Sequence, residues 1–413
     1  MKNLIFHVDV NSAFLSWEAA RRVREGGEDL RLIPSAVGGD REKRTGVILA
    51  KSIPAKKYGI KTGEPVASAL RKCPRLVLAR PDFRLYEQCS QAFMDVCRSY
   101  APVVEKYSID ECFLDMSGTE RVYPDPVATA YEIKNKIRDE LGFTVNIGVG
   151  NNKLLAKMAG DFEKPDRVHT LFDGEVAQKM WPLPVGALFT VGRATAERLS
   201  HANIRTIGEL AHADPKWLSD YMGEKMGAHL FRYANGIDDS PVLEEPERAK
   251  GYSNSITLEE DVVTDTEAHK ILLALADSVT SRMRADGVRA HCVSVTVRAN
   301  DFRDRSHQKR LENATDITDE VYAVAKRLLA ELWDRRTPLR LLGLSMTGVA
   351  EDGEEQITMF PDEKKERARR IDRAVDSIRG KFGPDTIIRG TTVGSDGRIG
   401  RKHKAKTEEN NHR

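Results

Sequence analysis

The chain opens on an apolar run, Leu4-Ile5-Phe6-His7-Val8, that ends in Asp9. So short a run predicts a buried strand, and the helical spacing of apolar residues over 13–23 predicts a helix that stops near Gly26-Gly27. Runs at 32–37 and 46–50, parted by Gly38-Gly39, read as two further strands. Helices follow at 53–58 and 66–72, then a strand at 76–79 and a helix over 86–100. A hairpin carries the next apolar run, Tyr107-Ser108-Ile109-Asp110-Glu111-Cys112-Phe113-Leu114, before a helix at 126–141 and a strand at 144–148. With the insertion 19–77 set aside, the order is β-α-β-β-α-β, the ferredoxin-like order that many unrelated proteins share.

From 166 to 240 the pattern changes to short helices and Gly-containing turns, among them Leu188-Phe189-Thr190-Val191-Gly192-Arg193, which reads as a helix-hairpin-helix. The free N–H groups of a helix opened by such a turn can face a DNA phosphate. Residues 244–250 are polar and aperiodic, as in a linker. A second β-α-β-β-α-β unit follows, with strands at 253–258, 292–299, 308–311 and 339–349 and helices at 266–286 and 316–334. Its strands and their flanks carry Arg289, Arg298, Arg303, Arg305, Lys309 and Arg310, a basic face suited to positioning a duplex by its phosphates. The tail offers an amphipathic helix over 362–382, with Ile371, Ala374, Val375, Ile378 and Phe382 on one stripe, and beyond 393 a Gly-, Lys- and Asn-rich composition that cannot build a core.

Two of the strands end in, or carry, acids. A sheet interior is costly for a carboxylate unless a cation or hydrogen bonds compensate it. Asp9, Asp110 and Glu111, brought together by neighbouring strands, offer oxygen ligands to Mg²⁺, which prefers carboxylates plus substrate phosphates. Two such ions roughly 3.5–4 Å apart can hold the attacking and leaving oxygens of an in-line phosphoryl displacement. The acids therefore point to nucleotidyl transfer.

Composition narrows the setting. At 413 residues the chain is expected to hold two to four domains. Sixty-five basic against 63 acidic side chains leave +2, so a nucleic-acid surface must come from local clustering, not from the sum. No apolar stretch is long enough to span a membrane, the N-terminal run is too short and too acidic for a secretion signal, and five scattered cysteines fit reduced thiols in a cytoplasmic protein.

Taken together these motifs resemble the Y family of translesion DNA polymerases, of the DinB/UmuC type, over residues 1–350. The resemblance rests on His7-Val8-Asp9-Val10-Asn11-Ser12-Ala13-Phe14, on Ser108-Ile109-Asp110-Glu111, and on the Ala156-Lys157-Met158-Ala159 segment. It implies an α+β multidomain fold: a ferredoxin-like palm (1–18 and 78–165), small fingers (19–77), a helical thumb (166–240), a linker (241–252), a β-α-β-β-α-β little finger (253–350) and a tail (351–413). It implies that Asp9, Asp110 and Glu111, with the carbonyl of Val10, bind two Mg²⁺ ions, that Lys157 holds the triphosphate, and that Phe14 is a steric gate against a ribose 2′-hydroxyl. The expected substrates are primer–template DNA and deoxynucleoside triphosphates, and the expected state is a monomer.

The chain departs from the family pattern in the fingers, where many members carry Thr, Tyr and Arg against the triphosphate. Here Ala50, Ile53 and Lys56 stand at those positions, so Lys56 keeps the charge without the planar fork of Arg. Asn11 replaces a second Asp and is assigned no metal. Gln356-Ile357-Thr358-Met359-Phe360 is similar to the bacterial sliding-clamp pentapeptide, with Gln356, Met359 and Phe360 as anchors. Two other accounts compete: a scaffold that has lost catalysis, against which three buried acids speak, and a palm-based cyclase, which would need neither thumb hairpin nor clamp peptide.

Overall fold

The computed structural model describes residues 3–39, 46–245, 248–351, 363–383 and 386–390. The chain divides into two units, Met1–Pro246 and Glu247–Arg413. Among the described residues no helix is long and apolar enough to cross a membrane. Gln356, Met359 and Phe360 lie outside the described residues.

The first unit runs β1 (Ile5–Val10), α1 (Ala13–Arg24), β2 (Ser35–Gly38), β3 (Ile48–Lys51), α2 (Ile53–Lys56), α3 (Val66–Lys72), β4 (Val77–Ala79), α4 (Phe83–Arg98), β5 (Val103–Lys106), β6 (Glu111–Asp115), α5 (Pro126–Lys136), β7 (Val145–Gly150), α6 (Lys153–Gly160) and β8 (Val168–Leu171). It closes with four short helices, α7 (Arg193–His201), α8 (Ile207–Ala211), α9 (Pro215–Met222) and α10 (Glu224–Ala234). The main sheet has the order β5-β6-β1-β7-β8, and the strands β2, β3 and β4 make a separate sheet in the order β3-β2-β4. Strand β8 is the fifth strand of the main sheet, parallel to β7, so that sheet continues past residue 165. The sequence hid it because it is four residues long and interrupts its two apolar ends with His169 and Thr170.

Strand β1 lies between β6 and β7, antiparallel to both. Alternation along it sends Phe6, Val8 and Val10 into a core shared with Cys112, Leu114, Ile147, Val149, Trp17, Phe93 and Ile133. His7 and Asp9 take the opposite face, in register with Phe113 and Glu111 on β6 and with Gly148 and Asn146 on β7. Helix α6 crosses that second face.

The second unit runs β9 (Gly251–Val262), α11 (Asp265–Ala285), β10 (Val288–Ala299), β11 (Asp304–Thr315), α12 (Thr318–Leu332), β12 (Leu339–Glu351) and α13 (Glu363–Phe382). Its sheet has the order β11-β10-β12-β9, all antiparallel. Helices α11 and α12 cover the face carrying Val293, Val295, Val297, Leu342, Leu344 and Met346. The other face is hydroxyl-rich by register, with Ser294 and Thr296 beside Ser345, Ser253 and Ser255. At the edge, Asp304 to Arg310 on β11 are all exposed, which is why only four of its twelve residues showed as a strand in the sequence. Arg303, Arg305, Lys309 and Arg310 stand in the open, whereas Arg298 is paired with Asp304 at 2.6 Å and Arg289 is withdrawn to within 4.0 Å of Asp316.

Helix α13 docks by charge, not by the apolar stripe expected of it. Buried Arg284 lies 2.6 Å from Asp376 and 3.4 Å from Asp372, and Asp372 also accepts the N–H of Thr318 at 2.9 Å, capping α12. Arg379 pairs with Asp277 at 2.8 Å. Those contacts turn Ile371 and Phe382 outward, where both are exposed.

Candidate active site

The carboxylates are set by register. Asp9, one residue before the end of β1, is the Cα partner of Glu111 at the start of β6, so their side chains share a face. Asp110 adjoins them: its carbonyl accepts the N–H of Val10 at 3.0 Å, and its carboxylate takes the Ser108 hydroxyl at 2.7 Å. Among the described residues no three His, Cys, Asp or Glu side chains converge on one point as a ready cage. A site that takes one or two carboxylates and completes its shell from substrate phosphates does not need one.

Each of the two facing acids is met by a lysine. The Lys164 ammonium donates to Oδ2 of Asp9 and, at 2.8 Å, pairs with Asp161. The Lys157 ammonium donates to Oε2 of Glu111, and His7 Nε2 lies 3.0 Å from that same oxygen. Burial pushes the Asp9 carboxyl above its ordinary value, an effect that Lys164 offsets only in part. Burial pushes Glu111 the same way, but the hydrogen bonds from His7 and Lys157 overcome it and bring its pKa down to about 2. The buried His7 imidazole is held below its usual range, chiefly by desolvation. Two facing carboxylates are hard oxygen donors of the kind a divalent metal takes, and it would bind them by displacing their ammonium partners.

Helix α6 reaches the site because β7 has no side chains where the two meet. A Cβ on Gly148 would stand 1.9 Å from the Ala156 carbonyl oxygen and 2.4 Å from the Gly160 nitrogen, and one on Gly150 would stand 2.7 Å from the Ala156 nitrogen. We expect Gly148→Ala to push α6 off the sheet, cost about 3 kcal/mol of stability and lower the melting temperature in a thermal scan. The segment after α6 is held by buried Asn146, whose amide donates to the carbonyls of Gly160 at 3.1 Å and Glu163 at 2.6 Å. That hold places Lys164 over Asp9.

The other expected residues fall as follows. Phe14, in the first turn of α1, is half-buried and stacks on Tyr86 with centroids 4.6 Å apart. Tyr86 is fixed in turn by a 3.0 Å hydrogen bond to buried Glu18. Asn11 is structural, its two amide ends used by Asn146, Thr144 and the N–H of Asp166. Lys56 is exposed on the four-residue helix α2, close enough to Lys51 for its charge to disfavour the protonated form of that neighbour after desolvation. No ion pair among the described residues joins Lys56 to the acids. Ile53 is 56% exposed and Ala50 is buried. Three residues that the sequence reading missed are now in the site: His7, which looked like part of an apolar run, Asn146, and Lys164, which lies 155 positions from its partner Asp9.

Comparison with known proteins identifies the family. The model of the impB/mucB/samB family matches residues 8–161, the model of that family's C-terminal domain matches 249–359, and a DNA polymerase-iota thumb-domain model matches 187–238. A DNA polymerase IV of Clostridium acetobutylicum is 43% identical over 390 residues, covering 94% of this chain and 98% of its own. DNA polymerase IV 1 of Bacillus subtilis is 35% identical over 395 residues, covering 94% and 93%. Among solved structures, a Y-family DNA polymerase chimera superposes with a TM-score of 0.71 at 22% identity, over 84% of this chain and 100% of that one. The 43% identity to a DNA polymerase IV over nearly its whole length, with family models matched in both units, places the chain in the Y family of DNA polymerases. Within that family it belongs to the branch of the DNA polymerases IV.

Proposed function

We propose that the chain extends a primer 3′-hydroxyl with deoxynucleotides on a DNA template, across damaged as well as intact bases. The carrying observation is the Asp9–Glu111 register, with Asp110 adjoining and each facing acid paired with a lysine. Two Mg²⁺ ions held by Asp9, Asp110, Glu111 and the Val10 carbonyl would lower the pKa of the primer hydroxyl and neutralise the departing pyrophosphate. Metal binding at Asp9 would release Lys164, whose side chain is 38% exposed against 12% for Lys157. Of the two lysines, Lys164 is thus the better placed to meet triphosphate oxygens, and the exposed Lys56 brings a further cation from the fingers.

Phe14 would lie beneath the sugar, backed by Tyr86. The N-terminus of α7 and the exposed basic residues of β11 would hold duplex phosphates without reading sequence. Fingers whose described residues form only short strands and short helices would offer few contacts with which to reject a misfit, a physical basis for low fidelity. The peptide containing Gln356, Met359 and Phe360 would bind the sliding clamp, raising the concentration of a monomeric, cytoplasmic enzyme at primer ends.

The deciding experiment is single-nucleotide extension of a primed template with Mg²⁺, comparing the chain with Asp110→Ala/Glu111→Ala. We expect templated incorporation that disappears in the variant. A folded, DNA-binding wild type that incorporates nothing would overturn the reading in favour of a scaffold. For the cations, Lys164→Met should raise KM for the incoming nucleotide by roughly tenfold or more while changing kcat less, as loss of one charge-assisted phosphate contact requires. Steady-state kinetics with varied nucleotide concentration checks this.

A further inference from the structure

The stretch after α10 does not leave the first unit where that helix ends. It crosses the start of α6, where the Asn152 side-chain amide donates to the Gly236 carbonyl at 2.8 Å and the Leu154 N–H donates to Asp238 Oδ2 at 3.2 Å. Val242 then packs against Ile5, Phe113 and Ala156. The last of these contacts is at Glu105 on β5, whose Oε2 accepts the Leu243 N–H at 2.8 Å. Glu105 is itself gripped by Lys153, whose ammonium reaches both carboxylate oxygens at 2.7 Å and the Pro241 carbonyl at 3.4 Å. That ammonium also stands 4.9 Å from the Phe113 ring centroid. Both side chains of the pair are only 13% exposed. A buried ion pair adds little net stability over an apolar pair, so its use is better sought in what else it holds. Here that is the main chain at 241–243, which the sequence reading placed in the linker.

We propose that Glu105, gripped by Lys153, is a positioning residue for DNA binding: it pins Leu243 to the first unit and so sets where the crossing to the second begins. With the pin in place the crossing to β9 is the seven residues 244–250. Without it, the crossing lengthens to the twelve residues 239–250 if the Asp238 contact survives, and to the sixteen residues 235–250 if the whole stretch lifts away. The effective concentration of a tethered module falls roughly as the −3/2 power of tether length. The shorter crossing therefore raises that of the second unit at a duplex held by the first by about two- to fourfold. The inference rests on the reading that both units hold primer–template DNA.

Two variants of the full chain separate the pin from the pair. Leu243→Pro deletes the N–H that Glu105 accepts and leaves the Glu105–Lys153 pair intact, whereas Glu105→Leu/Lys153→Met removes the pair without orphaning a buried charge. Hydrogen exchange over residues 236–245, followed by mass spectrometry, is read beside primer–template affinity from fluorescence anisotropy and extension kinetics at saturating DNA. Both variants should speed exchange in that segment at least about tenfold, as loss of a local hold requires. Both should weaken primer–template binding about two- to fourfold and keep kcat within about twofold. Unchanged exchange in either variant would overturn the pin. A fall in kcat with DNA affinity unchanged would overturn the role in DNA binding and make the pair a support for α6 alone. Faster exchange with affinity and kcat both unchanged would overturn instead the reading beneath it, that the second unit holds DNA, with the pin itself upheld.

Discussion

Asp9→Asn and Glu111→Gln are each expected to lower single-nucleotide incorporation by three orders of magnitude or more, yet only the second is expected to cost stability. The loss of activity follows from removing a charged ligand that would neutralise the transferring phosphoryl group, where such electrostatic contacts contribute several kcal/mol to the barrier. The stability effects follow from the pKa shifts of the metal-free protein. Glu111 has a folded pKa of about 2 against an ordinary 4.5, so its charged form stabilises the fold above pH 4.5 and that contribution disappears as pH falls towards 2. Replacing it should cost about 1–3 kcal/mol at neutral pH. Asp9 has its pKa raised by burial above 3.8, so its contribution is present below that value and is lost as pH rises through the folded pKa. Asp9→Asn should therefore leave the melting temperature at pH 7 unchanged or higher, although Lys164 keeps only Asp161 as partner. Thermal scans of both variants in chelator, beside extension assays in Mg²⁺, check the pair.

The second large effect is expected at Phe14. Phe14→Ala should raise ribonucleotide incorporation relative to deoxynucleotide by roughly a hundredfold, the size of discrimination that one shape-defining contact supplies. The ring does not act alone, since it is stacked on Tyr86 with an interplanar angle of 10° and flanked by Trp17 and Phe83. Those neighbours hold the aromatic face in place and make the ring rigid. Removing the ring of a half-buried Phe should also cost about 2 kcal/mol, below the range for a fully buried one. Competition assays with paired ribo- and deoxynucleotides measure the first effect and denaturant titration the second. Unchanged sugar discrimination would remove Phe14 as the gate and leave it a packing residue of the α1–α4 contact.

What the sequence disclosed about this site, and what it did not, has a physical division. Asp9 and Glu111 were legible because an acid inside an apolar run violates burial preferences and so announces a purpose. Their partners obey the rules of their surroundings: His7 passes as a strand residue, Asn146 as a polar interruption, Lys164 as one more loop cation. Only the fold makes them significant, by bringing β1, β6, β7 and the segment after α6 to one place. The same limit governed the secondary elements. Strands such as β1 and β12 were found close to their bounds, but β9 was read over only its middle, and β8 was missed and β11 truncated because neither of these two alternates cleanly. For α13 the apolar stripe misled, since the helix satisfies buried Arg284 and the start of α12 before it satisfies Ile371 or Phe382.

The exposed strand β11 also bears on how the protein stays in solution. Among the described residues it pairs with β10 alone, so its outer backbone edge runs along the rim of the sheet and can template another strand. Arg303, Arg305, Lys309 and Arg310, at or beside that rim, make a second copy of the same edge an unfavourable neighbour by like-charge repulsion. The residues that would attract DNA would thus also disfavour stacking of the polymerase edge to edge on itself. Charge-reversing substitutions there can weaken DNA binding cleanly, whereas β-branched apolar ones would replace a binding defect with aggregation.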